Sequence, residues 1–313
     1  MADDQKQWTI AKMKQRRVRY GELRPCFNAF IDTRTPGSEA KENFTIIGPG
    51  VSENPEQHVH ISEPHGYNIG GARQPPHCVN SQHSHGTAEV FVVHSGKWRF
   101  DFGEDGEDAQ VVLEEGDVVS LPTRTFRGFT NVGDDSGFLW AVLGQDDPGR
   151  VTWAPRVFEM AKEYGLVLLE SGQLVDTRRG QTVPAGARPM MPPGEAELQA
   201  MRTVGQKEAE TYAWRANEHG GEKSSKLIGD GGKFAWDHGF TMHRLVLAAD
   251  EGTGMAAAPA LKVIFVQAGE VSLGWNGGEL PLGKGDTFSV PAGLSHRLTA
   301  KSAAQVFVVE QAA

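Results

Sequence analysis

Gln82-His83-Ser84-His85-Gly86-Thr87-Ala88-Glu89-Val90-Phe91-Val92-Val93-His94-Ser95-Gly96 is the stretch on which the reading of this chain turns. Its second half, a β-branched and aromatic run ending at a glycine, is a strand running into a turn. Its first half carries chemistry. Side chains alternate faces on an extended chain, so His83 and His85 share a face. Glu89 has the same parity, although a turn at Gly86-Thr87 can break the simple count. Two imidazoles and a carboxylate on one face make a donor set for a divalent metal with open positions.

The strand half recurs. Val90-Phe91-Val92-Val93-His94-Ser95-Gly96 resembles Val263-Ile264-Phe265-Val266-Gln267-Ala268-Gly269, 173 residues later. His65-Gly66-Tyr67-Asn68-Ile69 resembles His238-Gly239-Phe240-Thr241-Met242 at the same offset of 173. Gly116-Asp117-Val118-Val119-Ser120-Leu121-Pro122 matches Gly285-Asp286-Thr287-Phe288-Ser289-Val290-Pro291 at 169. The change of four falls between motifs, where a hairpin tolerates length variation. Chance does not hold one offset over such a distance, so the chain is an internal duplication of one β domain.

Around these motifs lie short apolar runs separated by turn signals: Val90–Val93, Trp98–Phe102, Val111–Leu113, Val118–Leu121 and Phe138–Leu143, then Val263–Val266, Val271–Trp275, Thr287–Val290 and Val306–Val309. That spacing predicts an antiparallel sandwich or barrel in each half. The expected layout is an N-terminal arm at 1–45 with a helix over 5–19, a first β domain at 46–150, a helical and Pro-rich linker at 151–204, and a second β domain at 205–313. Pro155 suits the first turn of a helix over 155–169, and Glu195–Met201 reads as another. Trp98, Trp140, Trp236 and Trp275 are expected in the core.

With 313 residues, two domains are the starting expectation. A net charge of −9 argues against nucleic acid or an anionic membrane as partner. The two cysteines, Cys26 and Cys78, form no disulfide framework and read as buried small hydrophobes in a reducing compartment. The N-terminus lacks a signal-peptide pattern, and no apolar run approaches the ~18 residues of a membrane span. A cytoplasmic protein is expected. A homodimer is expected too, because sheet edges and the N-terminal arm need covering.

The motifs resemble those of the cupin superfamily, and the duplication resembles a bicupin, which implies an all-β, double-stranded β-helix (jelly-roll) fold present twice. The family's first motif is met by His83, His85, Glu89 and Gly96. Its second is met in part by Gly116, Pro122 and Asn131, but Arg124 stands at a glycine position and Arg127 where a fourth ligand, a histidine, is expected. The second copy departs the other way. Gly285, Pro291, Gly293 and His296 fit, whereas the 173 offset puts Ala256, Ala258 and Lys262 at the positions of His83, His85 and Glu89. That site is expected to be degenerate.

The resemblance implies one divalent metal in the N-terminal domain on His83, His85 and Glu89, with Fe(II) favoured and Mn, Ni or Zn as alternatives. The implied function is a dioxygenase-like oxidoreductase acting on a small anionic organic substrate, with Arg127 as its anion clamp. The overall layout is similar to gentisate dioxygenase-like bicupins, whose three-histidine ligand set differs. The alternatives are a metal-assisted isomerase, lyase or decarboxylase, or a non-catalytic small-molecule binding bicupin. For that arginine, a pair with Glu89 and a swing away from the site are the other two options. Of the other histidines, His77 is a candidate replacement ligand, and His58 and His60 form a second His-x-His without its carboxylate. His65, His238, Asp117 and Asp286 recur in both copies and are read as structural.

Overall fold

The computed structural model describes residues 8–312. The chain divides into two compact units. The first holds Arg24–Ser62 and Asn68–Ala216, and the second holds Glu63–Tyr67 with the described parts of Met1–Leu23 and Asn217–Ala313. Each unit is built on two sheets, antiparallel except that Glu42–Ile47 and Val59–Ile61 pair in parallel, the jelly roll that the repeated strands imply. We call them the N-terminal and C-terminal barrels.

In the N-terminal barrel one sheet runs, in spatial order, Ala213–Trp214, Val118–Leu121, Glu89–Ser95, Gly137–Gly144, Tyr67–Gln74, Glu42–Ile47 and Val59–Ile61. The other runs Thr152–Trp153, Val79–Ser84, Arg127–Asn131, Trp98–Phe102 and Ala109–Leu113. In the C-terminal barrel the corresponding sheets are Arg17–Val18, Thr287–Val290, Lys262–Ala268, Ala304–Gln311, Phe240–Leu247 and Ser224–Ile228, and then Ala256–Ala257, Ser295–Ala300, Val271–Trp275 and Gly278–Leu282.

Strand register confirms the internal alignment residue by residue. Arg127 lies opposite His83, and His296 lies opposite Ala256. Glu89 lies opposite Leu121, and Lys262 lies opposite Val290. The four-residue change of offset sits in one hairpin, whose loop spans 103–108 in the first barrel and only 276–277 in the second.

The duplication extends further than the sequence shows. Each barrel ends one sheet edge with a two-residue strand followed by a 3-10 turn: Arg17–Val18 then Tyr20–Glu22, and Ala213–Trp214 then Ala216–His219. The conserved geometry is in the hydrogen bonds. Ser120 N donates to Tyr212 O, and Ser289 N donates to Arg16 O. Asp117 accepts from Glu114 N (3.0 Å) and Ala216 N (2.8 Å); Asp286 accepts from Gly283 N (3.1 Å) and Tyr20 N (3.2 Å). The recurring aspartate therefore closes its own turn with one oxygen and fastens the edge strand with the other.

Several expectations change here. The arm at 1–45 is not one piece, because its described residues to Leu23 belong to the C-terminal barrel while 24–45 belong to the N-terminal one. Its helix covers only Ile10–Lys14, since Arg17–Val18 is taken into the sheet. Residues 1–7 lie outside the described residues. The helix from Pro155 stops at Glu163, because Gly165 adopts φ 75° and starts a hairpin of Leu166–Leu168 with Leu174–Asp176. Much of the expected linker is thus ordered against Val157, Ala161 and Trp153 in a small core. One side of the strand Thr287–Val290 is covered by the chain's own arm. Trp98, Trp140 and Trp275 are buried, but Trp236 is only half-buried and stacks on His238. Cys26 and Cys78 are buried and free.

Candidate metal centre

His83 and His85 come from the strand Val79–Ser84 and the residue just after it, and Glu89 opens the facing strand Glu89–Ser95. Their ligand atoms all lie within 4.8 Å of one another, and all three residues are buried. His85 Nε2 stands 3.7 Å from Glu89 Oε1. His83 Nδ1 is 2.7 Å from Ser81 O, and a carbonyl can only accept, so Nδ1 carries the proton and Nε2 the lone pair. That is the tautomer a metal requires, held by a backbone partner. Trp153, paired with His83 across the strands, packs its ring 5.3 Å from the imidazole.

Burial, reinforced by the charge of Arg127, holds both imidazoles well below the usual histidine range, so both are neutral donors near pH 7. Burial pushes the Glu89 carboxyl up, and Arg127 pulls against it. Arg127 Nη2 donates to Glu89 Oε2 at 2.5 Å, and Nη1 donates to His83 O at 3.1 Å. The guanidinium is 1 % exposed, so this is a fully buried ion pair.

The three residues fit a divalent ion. Two neutral imidazoles and one carboxylate oxygen converge, Glu89 Oε1 is left to them while Arg127 takes Oε2, and His85 Nδ1 has no hydrogen-bond partner among the described residues. Unshared buried donors and acceptors of this kind are costly without a ligand. The ion would be held by His83, His85 and Glu89.

All three ligands face a cavity with about 650 Å³ of empty space, its open mouth included. Its walls are mainly aromatic and aliphatic, with Phe30, Phe91, Phe129 and Trp153 among them. Arg127 is not part of the lining; it lies behind Glu89. Asn80 also lines the cavity, its Oδ1 accepting from Lys41 Nζ at 3.1 Å. Lys41 in turn is ion-paired with Asp32, whose other oxygen accepts from Ser81 N at 2.9 Å.

Sequence reading found the trio and Arg127 but missed Asn80, Trp153 and the Asp32–Lys41 pair. Nothing in their local pattern marks them; they come from segments read as arm, strand and linker. His77 is exposed on a turn with φ 64° and is not in the ligand group. Arg124 adopts φ 57°, as Gly293 adopts φ 77° at the equivalent place, which is why a glycine is expected there. His58 and His60 pack ring against ring with no carboxylate, and His60 Nε2 accepts from Arg24 N. His65 bridges Glu63 O and Ser289 Oγ, the structural role expected of it.

In the C-terminal barrel, His296 keeps the same backbone support, its Nδ1 3.0 Å from Leu294 O. Ala256 faces it, and Lys262 pairs with Glu310 at 2.9 Å. No ligand trio forms there among the described residues.

Residues 72–143 match the cupin domain family. No curated protein sequence matches the chain. Solved structures with the same fold include oxalate decarboxylase from Lactobacillus farciminis in complex with formate, at TM-score 0.56 and 11% identity, over 94% of this chain and 85% of that one. Oxalate decarboxylase from Bacillus subtilis at pH 4.6 gives 0.56 and 10%, over 94% and 75%. Vicilin from Corylus avellana (hazelnut) gives 0.53 and 13%, over 95% and 85%. Residues 72–143 thus carry the cupin domain, and the twice-repeated jelly roll is the fold that these solved structures share with the chain.

Proposed function

We propose that the N-terminal barrel is the metal-dependent centre of a dioxygenase-like oxidoreductase acting on a small organic substrate, and that the C-terminal barrel is scaffold. The observation that carries this is the convergence of His83, His85 and Glu89 on one cavity. When bound, a divalent ion, Fe(II) by preference and Mn(II), Ni(II) or Zn(II) otherwise, supplies open coordination positions beside the trio where substrate and O₂ can meet. The protein's own part is to hold the two imidazoles as neutral donors, to turn Glu89 Oε1 toward them, and to keep water out with aromatic walls. Arg127, expected as a clamp on a substrate anion, holds Glu89. An anionic head is therefore met at the trio, and arginine acts one side chain behind.

Metal analysis of protein purified without chelator, paired with oxygen uptake on aromatic and keto acids, tests this reading. About one ion per chain and its loss in Glu89→Ala are expected. Full occupancy in Glu89→Ala would sink the three-ligand model.

The Arg127–Glu89 pair favours a second reading, a non-catalytic small-molecule binding bicupin, because a neutralised carboxylate attracts a cation less. Failure to take up Fe(II), Mn(II), Ni(II) or Zn(II) on reconstitution would select it. Uptake of Zn(II) or Mn(II) with no oxygen consumption would instead select Lewis-acid chemistry such as isomerisation or decarboxylation.

A further inference from the structure

The cavity contains a second set of polar groups that the metal centre does not use. Asn43, on the strand Glu42–Ile47 opposite Ala72, is 7 % exposed and lines the cavity, and its Nδ2 has no hydrogen-bond partner among the described residues. Gln57, in the turn before Val59–Ile61, lines the same cavity, and its buried Oε1 is likewise without a partner. Three other polar side chains of the lining have partners. Asn68 donates to Gln145 O and accepts from Gly50 N, Asn80 is bonded to Lys41, and Ser52 donates to Ala29 O. Asn43 and Gln57 thus offer one donor and one acceptor, on a strand and a turn outside the segments that carry the trio. Glu42–Ile47 is separated from Glu89–Ser95 by two strands of the sheet, about 14 Å at the usual spacing.

The rest of the lining is largely aromatic and aliphatic. Phe91 packs edge-on to Phe129 at 5.3 Å, and Phe30 edge-on to Trp153 at 5.8 Å. Among the described lining residues there is no lysine or arginine, and the one carboxylate is already paired with Arg127. A charge placed away from the trio would lose its water and gain no counter-ion, at a cost of several kcal/mol.

We propose that the part of the cavity remote from the trio is a specificity subsite for an uncharged aromatic body, which accepts a hydrogen bond from Asn43 Nδ2 and donates one to Gln57 Oε1. This deepens the functional reading above by naming the substrate class. It rests on the cavity being the ligand site, but not on which metal sits there or on the reaction.

The test is fluorescence-monitored binding of four probes to the full chain, as purified and after chelator treatment. The probes are 2-naphthol, 2-methoxynaphthalene, naphthalene and 2-naphthoate. In the unsubstituted chain 2-naphthol should bind about tenfold tighter than 2-methoxynaphthalene, which cannot donate, and tighter still than naphthalene. Gln57→Leu should erase the difference between the first two, and Asn43→Leu should weaken both about tenfold. Naphthalene affinity within threefold of the unsubstituted chain shows that each variant is folded. In chelator-treated protein, 2-naphthoate should bind at least tenfold more weakly than 2-naphthol.

The inference is overturned if 2-naphthol binds no tighter than naphthalene, if folded variants leave 2-naphthol affinity unchanged, or if 2-naphthoate wins without metal. The probe ordering in the unsubstituted chain decides the matter even where a variant does not fold. Absence of metal would defeat the oxidoreductase reading and leave this ordering in place, so the two failures are distinguishable.

Discussion

The two barrels are one domain written twice, and they differ where chemistry resides. At the position of Glu89, buried and paired with Arg127, the C-terminal barrel has Lys262, partly exposed and paired with Glu310. At the position of His83 it has Ala256, while His296 persists at the position of Arg127. What both barrels keep is the Gly-Asp turn, the fastening aspartate and the two-residue edge strand. Features shared by both copies are architecture; features held by one are candidates for function.

The sharpest way to break the comparison is metal binding itself. His83→Ala or Glu89→Ala should reduce ion affinity by a hundredfold or more, whereas His296→Ala should leave ion content unchanged. Elemental analysis after dialysis against metal reads both. Next in size is the contrast between the two ion pairs. Arg127→Ala leaves a buried carboxylate alone and should cost about 3–5 kcal/mol in denaturant unfolding. Lys262→Ala, in a partly exposed pair, should cost no more than about 1 kcal/mol.

The shared aspartates offer a test in which the barrels should agree. Asp117→Ala and Asp286→Ala each remove acceptors for two backbone N–H groups. Each should cost about 1–3 kcal/mol and raise amide exchange at its own edge strand, Ala213–Trp214 or Arg17–Val18. Equal effects sharpen the duplication; an effect in one barrel only breaks it.

The smallest expected effect is a difference in pH response. Glu53, in the N-terminal barrel, accepts from Trp153 Nε1 and Ile31 N, and burial pushes its carboxyl up to about 8. A folded-state pKa raised above the unfolded one contributes stability that is complete below about pH 4.5 and lost as pH rises toward about 8. His238, in the C-terminal barrel, is lowered to about 4 by burial, so its contribution is present above pH 6.5 and lost as pH falls toward 4. Raising the pH from 6.5 to 8 should therefore weaken the N-terminal barrel selectively in region-resolved hydrogen exchange. Glu53→Gln should remove that slope, whatever it does to the baseline.

Much of this was legible in the sequence because repetition is legible. Val90–Gly96 against Val263–Gly269 gave the duplication, and His83, His85 and Glu89 gave the donor set, since strand parity is a local property. The edge strands were not legible. Arg16-Arg17-Val18 and Tyr212-Ala213-Trp214 perform the same task with unlike side chains, because the bonds the two share are backbone to backbone or to the recurring aspartate. The facing of Arg127 was open for the same kind of reason. Whether a guanidinium meets a carboxylate 38 positions away depends on register between strands, which no local pattern reports. Asn43 and Gln57 carry no motif at all; their interest arises only from the cavity that closes around them.

Arg17 pairs with Phe288, so a strand synthesised early completes a sheet whose other strands are synthesised much later. During translation the arm must remain uncommitted until Thr287–Val290 has emerged, and that strand presents an open edge until the arm returns. Closing so long a loop is slow, and an open strand edge is a template for wrong pairing. Maturation of the C-terminal barrel is thus the step at which this protein should be most prone to self-association, and deleting Arg17–Val18 should lower the yield of folded chain before it alters the N-terminal cavity.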